Sequence, residues 1–188
     1  VYRNMPLRGH QGSVDAFEWS PAGDLVATAS SDNTIIVWNI RNGTLIRRLE
    51  ADIAAIYAFL RWSDSGDYLL GCGYTFPASY HAVVWETRAT SVKPVLDVPL
   101  REKPIACSLV GDDAMLVIVN PDGVIDQYDM RTKEQTESID VGAPIRDAQV
   151  RTDKSGIILT EGGVQILDLD QQTIVDSWLP RVADPSIV

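Results

Sequence analysis

A histidine and an aspartate near the start of the chain have the side chains that acid–base chemistry requires. His10 follows Gly9, and Asp32 lies further along the same stretch. A histidine ring oriented by a carboxylate can act as a general base, and such a pair is half of a nucleophilic triad. The candidate nucleophiles, Ser13 and Ser30, stand in no special turn. The sequence therefore predicts no catalysis by this pair, and its role depends on the elements that position it.

The two cysteines do not indicate a metal site. Cys72 and Cys107 each lie in an apolar run, and the chain contains no C-x-x-C motif. Two histidines and two cysteines this far apart form no metal-ligand signature. We expect reduced, half-buried thiols that fill core space, and we expect neither a metal nor a cofactor.

The charge and hydropathy of the chain argue against several classes of protein. A net charge of −10 disfavours a surface built mainly to bind phosphate backbones, because such a surface needs Lys and Arg. We interpret two short basic clusters, Arg47-Arg48 and Arg101-Glu102-Lys103, as solvated turn charges. The chain has no run of about 18 apolar residues, and its first residues lack the apolar core of a secretion signal. We therefore expect neither a membrane span nor secretion.

Turn clusters recur at a spacing of about 40–45 residues, which indicates an internal repeat. They contain Gly23, Gly66, Gly111 and Gly156. Between them lie short runs with apolar residues at alternate positions, which is typical of strands, and no stretch has a sustained helical stripe. The predicted strands form four units: 14–19, 25–30, 34–39 and 45–50; 56–62, 68–73, 82–86 and 93–98; 105–110, 115–120, 124–129 and 135–140; 145–150, 157–161, 164–168 and 173–178.

Four strands per repeat, with a Gly-His pair and a Trp-Asp pair, are the signature of WD40 blades. The first unit carries Gly9-His10 and the run "SPAGDLVATASSDNTIIVWN", in which Asn39 replaces the aspartate. The chain thus resembles the WD40 family, which implies an all-β propeller of four-stranded antiparallel blades. The signature weakens in the later units, which have Trp85-Glu86, Tyr128-Asp129 and Leu167-Asp168 at this place.

The expected divisions follow the repeat. The first residues begin in mid-pattern, so we expect the chain to be part of a larger ring of about seven blades. We expect the end of a preceding blade in 1–8, the blade with the signature in 9–50 and a blade with an enlarged hairpin in 51–98. Two more blades follow in 99–140 and 141–178, and an exit segment in 179–188.

The WD40 resemblance implies a structural role for the polar residues of the first unit. It maps four of them onto a hydrogen-bonded tetrad inside the blade. In this arrangement the carboxylate accepts from the imidazole and from turn N–H groups, and a threonine hydroxyl satisfies the indole N–H. A closed network of this kind fixes one strand register, because each unsatisfied buried polar group costs about 1–3 kcal/mol. The tetrad consists of His10, Thr28, Asp32 and Trp38.

The second unit departs from the first by an insertion in "GCGYTFPASYHAVVW". The insertion contains Tyr74, Phe76 and Tyr80. Two alternatives remain open for this candidate partner-binding loop. It is either a recognition surface, since aromatic residues are enriched at interface cores, or a loop folded back over its own blade. We expect the nearby His81 to be a surface residue.

A narrower resemblance comes from the order of these departures. Gly123, Ile125, Gln127 and Tyr128 match a Gly-x-hydrophobic-x-Gln-Tyr run, and Glu86-Thr87-Arg88 loosely matches the turn after the extended hairpin. In these features the chain resembles the i-subunit family of eukaryotic translation initiation factor 3. This resemblance implies a non-catalytic cytoplasmic subunit that docks the b and g subunits and acts in 43S/48S preinitiation complex assembly. It implies only indirect contact with the small ribosomal subunit, and no membrane or small-molecule substrate.

Two other classes remain open beside this interpretation. One is a WD40 adaptor of another multiprotein assembly, of the kinase-receptor-associated or RNP-assembly type. The other is an enzyme or a direct nucleic-acid binder, which the acidic charge and the lack of a nucleophile motif disfavour.

Overall fold

The structure is a computed structural model that describes residues 6–50, 55–75 and 79–178. Within these ranges the chain forms four antiparallel sheets of four strands each and no helix. We call the sheets blades 1 to 4 in chain order. The prediction of an all-β chain built from four-stranded antiparallel blades is confirmed.

Within each blade, every strand pairs with the next strand along the chain. Blade 1 contains β1 (Val14–Trp19), β2 (Leu25–Ser30), β3 (Thr34–Asn39) and β4 (Thr44–Glu50). Blade 2 contains β5 (Ala55–Trp62), β6 (Tyr68–Thr75), β7 (Ser79–Glu86) and β8 (Leu96–Leu100). Blade 3 contains β9 (Ala106–Val110), β10 (Met115–Val119), β11 (Val124–Asp129) and β12 (Gln135–Asp140). Blade 4 contains β13 (Ile145–Val150), β14 (Ser155–Thr160), β15 (Gly163–Asp168) and β16 (Thr173–Trp178).

The strand predicted at 93–98 is displaced, because β8 spans Leu96–Leu100. Val95, next to its start, bonds to β7 through the Val84 carbonyl at 2.8 Å, but residues 91 and 92 bond to blade 1. The Val92 carbonyl accepts from the Glu50 N–H at 3.0 Å, and the Ser91 carbonyl accepts from Arg47 at 2.6 Å. Pro94 has no N–H for a ladder bond. The fourth strand of blade 2 therefore starts only after the chain has left blade 1.

The turn before β14 also differs from the predicted repeat. Gly23, Gly66 and Gly111 have positive φ angles of 69°, 75° and 61°. In blade 4 the left-handed residue is Lys154, with φ of 65°, and Gly156 lies inside β14. The recurring glycine thus marks a left-handed turn in three blades, and in the fourth a lysine adopts that conformation.

The hydrophobic core lies between successive blades rather than within them. One cluster joins blades 1 and 2, and includes Leu49 and Trp85. A second joins blades 2 and 3, and includes Leu70 and Leu116. A third joins blades 3 and 4 around Ile158. Each blade is therefore stabilised by burying its faces against its neighbours.

Two expected segments lie outside the described residues. They are the last strand of a preceding blade, in the first residues, and the exit segment 179–188.

The polar network of blade 1 and a candidate docking hairpin

Thr28 is the centre of a hydrogen-bonded network inside blade 1. Its Oγ1 accepts from the Trp38 indole N–H at 2.8 Å and lies 2.7 Å from His10 Nε2. His10 Nδ1 lies 3.0 Å from Asp32 Oδ2. An ionised carboxylate only accepts, so we assign the ring proton to Nδ1, and Nε2 accepts from the Thr28 hydroxyl. The structure therefore brings together all four residues of the expected tetrad.

Asp32 holds the turn between β2 and β3. Its carboxylate accepts from the Gln11 N–H at 2.8 Å, and from the Thr34 N–H and hydroxyl at 3.0 and 2.7 Å. Burial alone would raise the pKa of this carboxyl. The hydrogen bonds from Thr34, Gln11 and His10 outweigh burial and hold the pKa well below its ordinary value of 3.8. Asp32 is therefore a fixed anion that joins three segments of the chain.

Gly9 is required where the chain passes over the indole of Trp38. A Cβ at this position would lie 2.8 Å from Trp38 Cη2, which is too close for a side chain. The His10 ring meets the same indole edge-on, with ring centroids 6.2 Å apart. The Gly-His pair therefore combines a close backbone approach with a polar partner for Thr28.

The Arg47-Arg48 pair was wrongly predicted to be solvated turn charge. Arg48 donates to the Thr34 hydroxyl at 3.0 Å and to the Gly9 carbonyl at 2.9 Å, so it belongs to the blade 1 network. Arg47 donates to the Thr87 carbonyl at 3.0 Å and thus joins blade 1 to blade 2. The run "LIRRLE" gave no signal for this, because a polar pair in a strand indicates exposure unless the register is known.

The hydrogen bonds of blade 1 do not join His10 to either candidate nucleophile. Ser13 bonds to Ser31 and Asp15, and Ser30 accepts from the Asp32 N–H. Neither serine is among the hydrogen-bond partners of His10, whose two ring nitrogens are already occupied by network partners. The arrangement can hold strands in register, and it has no proton acceptor left for a substrate.

Blade 2 replaces this network by contacts to blade 1. The Gly71–Val83 pair of blade 2 corresponds to the Thr28–Ile36 pair of blade 1. Because glycine replaces threonine at this place, Trp85 has no hydroxyl to which its indole could donate. The Trp85 indole instead donates to the Glu50 carbonyl of blade 1 at 2.9 Å.

Tyr57 fills the space that Gly71 leaves. It packs edge-on against Trp85, with ring centroids 5.4 Å apart. Its buried hydroxyl has no hydrogen-bond partner among the described residues.

The insertion in blade 2 is a continuation of two strands. β6 and β7 remain paired from Tyr68↔Glu86 to Thr75↔Ser79. This pairing continues beyond the point that corresponds to the end of the tight β2–β3 hairpin in blade 1. Tyr74 and Tyr80 are cross-strand partners, with ring centroids 6.1 Å apart. The described part of the insertion is thus an extended hairpin.

One face of this hairpin carries two of the candidate docking residues, Tyr74 and Tyr80. Tyr74 is 40% exposed, whereas Phe76 lies outside the described residues. A cavity of about 210 Å³ separates the tyrosines from the start of blade 3; it is lined by Phe59, Cys72, Tyr74, Tyr80, Lys103 and Pro104.

His81 is held more firmly than the expected surface residue. Its Nδ1 lies 2.8 Å from Asp97 Oδ1 and its Nε2 lies 3.1 Å from Ser79 Oγ; the side chain is 13% exposed. The order of these contacts is that of a nucleophilic triad. However, Ser79 and His81 are alternate residues of one strand, so their proximity follows from strand geometry, without the sharp turn that presents a nucleophile.

The described ranges contain no group of three His, Cys, Asp or Glu side chains that could hold a metal ion. A search of the same ranges found no helix that is long and apolar enough to span a membrane.

Comparison with known proteins defines the class of this fold. The family model "WD domain, G-beta repeat" matches residues 3–39, the stretch that contains Gly9, His10 and Trp38. The solved structure of U3-55K matches with a TM-score of 0.67 over 90% of this chain and 53% of that chain, at 16% identity. The RRP9 WD40 repeats match with a TM-score of 0.66 over 90% and 52%, at 15% identity. The four blades and the structural matches show the fold of a WD40-type β-propeller, and residues 3–39 match the WD40 repeat itself.

Among WD40 proteins, the chain resembles subunit I of eukaryotic translation initiation factor 3. It is 28% identical to the subunit of Pyricularia oryzae over 166 residues, which cover 80% of this chain and 46% of the relative. It is 24% identical to the subunit of Vanderwaltozyma polyspora, over 92% of this chain and 54% of the relative. The chain therefore spans about half the length of these relatives. THO complex subunit 3 of Arabidopsis thaliana is 41% identical over 49 residues, or 26% of this chain and 16% of the relative.

Proposed function

We propose that the chain belongs to a non-catalytic scaffold that docks partner proteins as a cytoplasmic subunit of translation initiation factor 3, in 43S/48S preinitiation complex assembly. One observation carries this proposal. The similarity to subunit I extends over 80% and 92% of the chain, whereas that to WD repeat-containing protein AAC3 covers 38% and that to HOS15 covers 22%. The long matches include the diverged blades 2 to 4, where a general WD40 signature contributes little.

The site geometry supports a scaffold rather than an enzyme. The His10–Asp32 pair is fully engaged inside blade 1, and the net charge of −10 suits protein docking better than direct binding to a phosphate backbone. The b and g subunits of the factor are the proposed partners, and the small ribosomal subunit is contacted only through them.

The extended hairpin of blade 2 is the proposed docking surface. Tyr74 and Tyr80 present two large side chains of low conformational entropy beside a cavity, which is the anatomy of a binding hot spot. We include Phe76 among the residues of this proposed docking surface.

Further blades are proposed to complete the ring. The outer faces of blades 1 and 4 expose large apolar side chains. Phe17 and Trp19 of blade 1 are 64% and 52% exposed, and Ile157 and Ile166 of blade 4 are 52% and 42% exposed. Faces of this composition are covered by a neighbouring blade in each of the three seams described above, and a ring of about seven blades would cover both.

Affinity purification of the tagged protein at native expression level, followed by mass spectrometry, tests the function. We expect the b and g subunits of the initiation factor to be recovered. A Tyr74→Ala/Tyr80→Ala double variant should lose them, while the matched control Val92→Ala, at another exposed apolar position, should retain them. Recovery of partners that include no initiation-factor subunit would overturn the proposal.

A second candidate is an adaptor of another multiprotein assembly, such as an RNP-assembly complex. It is favoured by the 41% identity to THO complex subunit 3 within a short stretch. The same purification distinguishes the two, because the second candidate requires a different set of recovered subunits.

A further inference from the structure

The two cysteines meet across the seam between blades 2 and 3. Cys72 lies in β6 and Cys107 in β9, and their Sγ atoms are 2.8 Å apart. Both are free thiols, with exposures of 2% and 3%, and both belong to the hydrophobic cluster that joins the two blades. The sequence predicted reduced, half-buried thiols that fill core space; the two thiols do fill core space, but they are fully buried and lie against each other as one dithiol.

The distance between the thiols is short enough for a covalent link. A disulfide joins two sulfur atoms about 2.05 Å apart, so the atoms need to approach by only ~0.8 Å. The two residues come from different blades, so a bond between them would fasten β6 to β9. Noncovalent packing alone holds this part of the seam in the reduced protein.

The cavity under the extended hairpin gives an oxidant a route to one of the sulfurs. Cys72 is part of its lining, together with Tyr74, Tyr80 and Lys103, whereas Cys107 is not among its lining residues. Burial, and then the contact with Cys107, raise the pKa of the Cys72 thiol well above its ordinary value. The thiolate is therefore scarce at neutral pH, and the reaction should accelerate as the pH rises.

We propose that Cys72 and Cys107 form a modification site, an oxidisable dithiol that closes to a disulfide between blades 2 and 3. With a peroxide as the oxidant, the Cys72 thiolate attacks one peroxide oxygen, the O–O bond breaks, and water leaves after protonation. Cys107 then attacks the sulfur of the resulting sulfenic acid and releases a second water. The two thiols supply the two electrons that reduce hydrogen peroxide to two molecules of water.

The test is titration of the folded protein with hydrogen peroxide at about pH 8.5, close to the ordinary pKa of a thiol. We expect a loss of about 2 Da in the intact mass, as two hydrogens leave, and a peptide map that links the Cys72 and Cys107 peptides. The link should raise the melting temperature by about 5–10 °C, and dithiothreitol should reverse the rise.

The matched controls are Cys72→Ser and Cys107→Ser, each with a single remaining thiol. Neither should gain melting temperature on oxidation. If either variant fails to fold, the intact mass, the peptide map and the melting temperature of the wild type still test the proposal. Three results would overturn the proposal: both thiols still alkylated after peroxide treatment and subsequent unfolding, cysteine oxygenation without a link, or links only between molecules. This test does not involve the initiation-factor partners, so it is independent of the proposed function.

Discussion

Thr28→Val removes the central hydroxyl of the blade 1 network and changes little else. Valine has nearly the shape of threonine and favours strands equally. The substitution leaves the Trp38 indole N–H, on a side chain only 1% exposed, without its acceptor. It also leaves His10 Nε2, on a side chain 7% exposed, without its donor.

The cost can be worked out from these two groups. Each buried polar atom without a partner costs about 1–3 kcal/mol. Because part of this is recovered by small shifts, we expect the free energy of unfolding to fall by about 2–4 kcal/mol. Urea unfolding followed by tryptophan fluorescence measures the change, and Thr28→Ser, which keeps the hydroxyl, should lose about 1 kcal/mol from the missing methyl group.

A double-mutant cycle assigns the cost to the network. In a Trp38→Phe background there is no indole N–H to satisfy, so Thr28→Val should cost about 1–2 kcal/mol less than in the wild type. The exposed Thr173 of β16 provides a control, since Thr173→Val should change stability by no more than about 0.5 kcal/mol. The reasoning is refuted if Thr28→Val is as stable as this control, or if its cost is the same in both backgrounds.

Four further outcomes are expected. Gly9→Ala should destabilise the protein by about 1–3 kcal/mol, because its Cβ would meet Trp38 at 2.8 Å; a melting curve identical to that of the wild type would contradict this. Tyr57→Phe should raise the free energy of unfolding by about 1 kcal/mol, because it removes a buried hydroxyl without a partner, and a loss of stability in urea would show that the hydroxyl is satisfied. Because the folded pKa of Asp32 is depressed, the stability from its ionised form is complete above about pH 5 and is lost as the pH falls below about 4. Asp32→Asn should flatten this part of the stability–pH curve, and an unchanged slope would count against the assignment. His81→Ala should hydrolyse p-nitrophenyl acetate no more slowly than the wild type, and a large drop in rate would mean that the Ser79–His81–Asp97 chain is catalytic.

The architecture could be predicted because its determinants are local. Alternating apolar residues and left-handed turns recur in every unit, and the runs at 14–19, 124–129 and 145–150 coincide with β1, β11 and β13. The four network residues could be selected because the first unit keeps the family signature. Their contacts needed no information from other blades.

The remaining features depend on which residues face one another across a seam. Arg47 bonds to the Thr87 and Ser91 carbonyls, and no pattern in its own strand indicates that. Cys72 and Cys107 are 35 residues apart in the chain, and each fits an apolar strand equally well alone. The start of β8 depends on hydrogen bonds from blade 1 to residues 91 and 92. Propensity and alternation describe one strand at a time, so they do not contain these pairings.

The different hydrogen-bond acceptors of Trp38 and Trp85 have a consequence for local unfolding. In blade 1 the tryptophan is satisfied by its own sheet, so breaking its hydrogen bond requires opening only that sheet. In blade 2 the Trp85 indole depends on the Glu50 carbonyl, and Arg47 reaches across the same seam. Opening either blade therefore leaves polar groups of the other blade without hydrogen-bond partners. We therefore expect the first two blades to open together, as one cooperative unit of local unfolding.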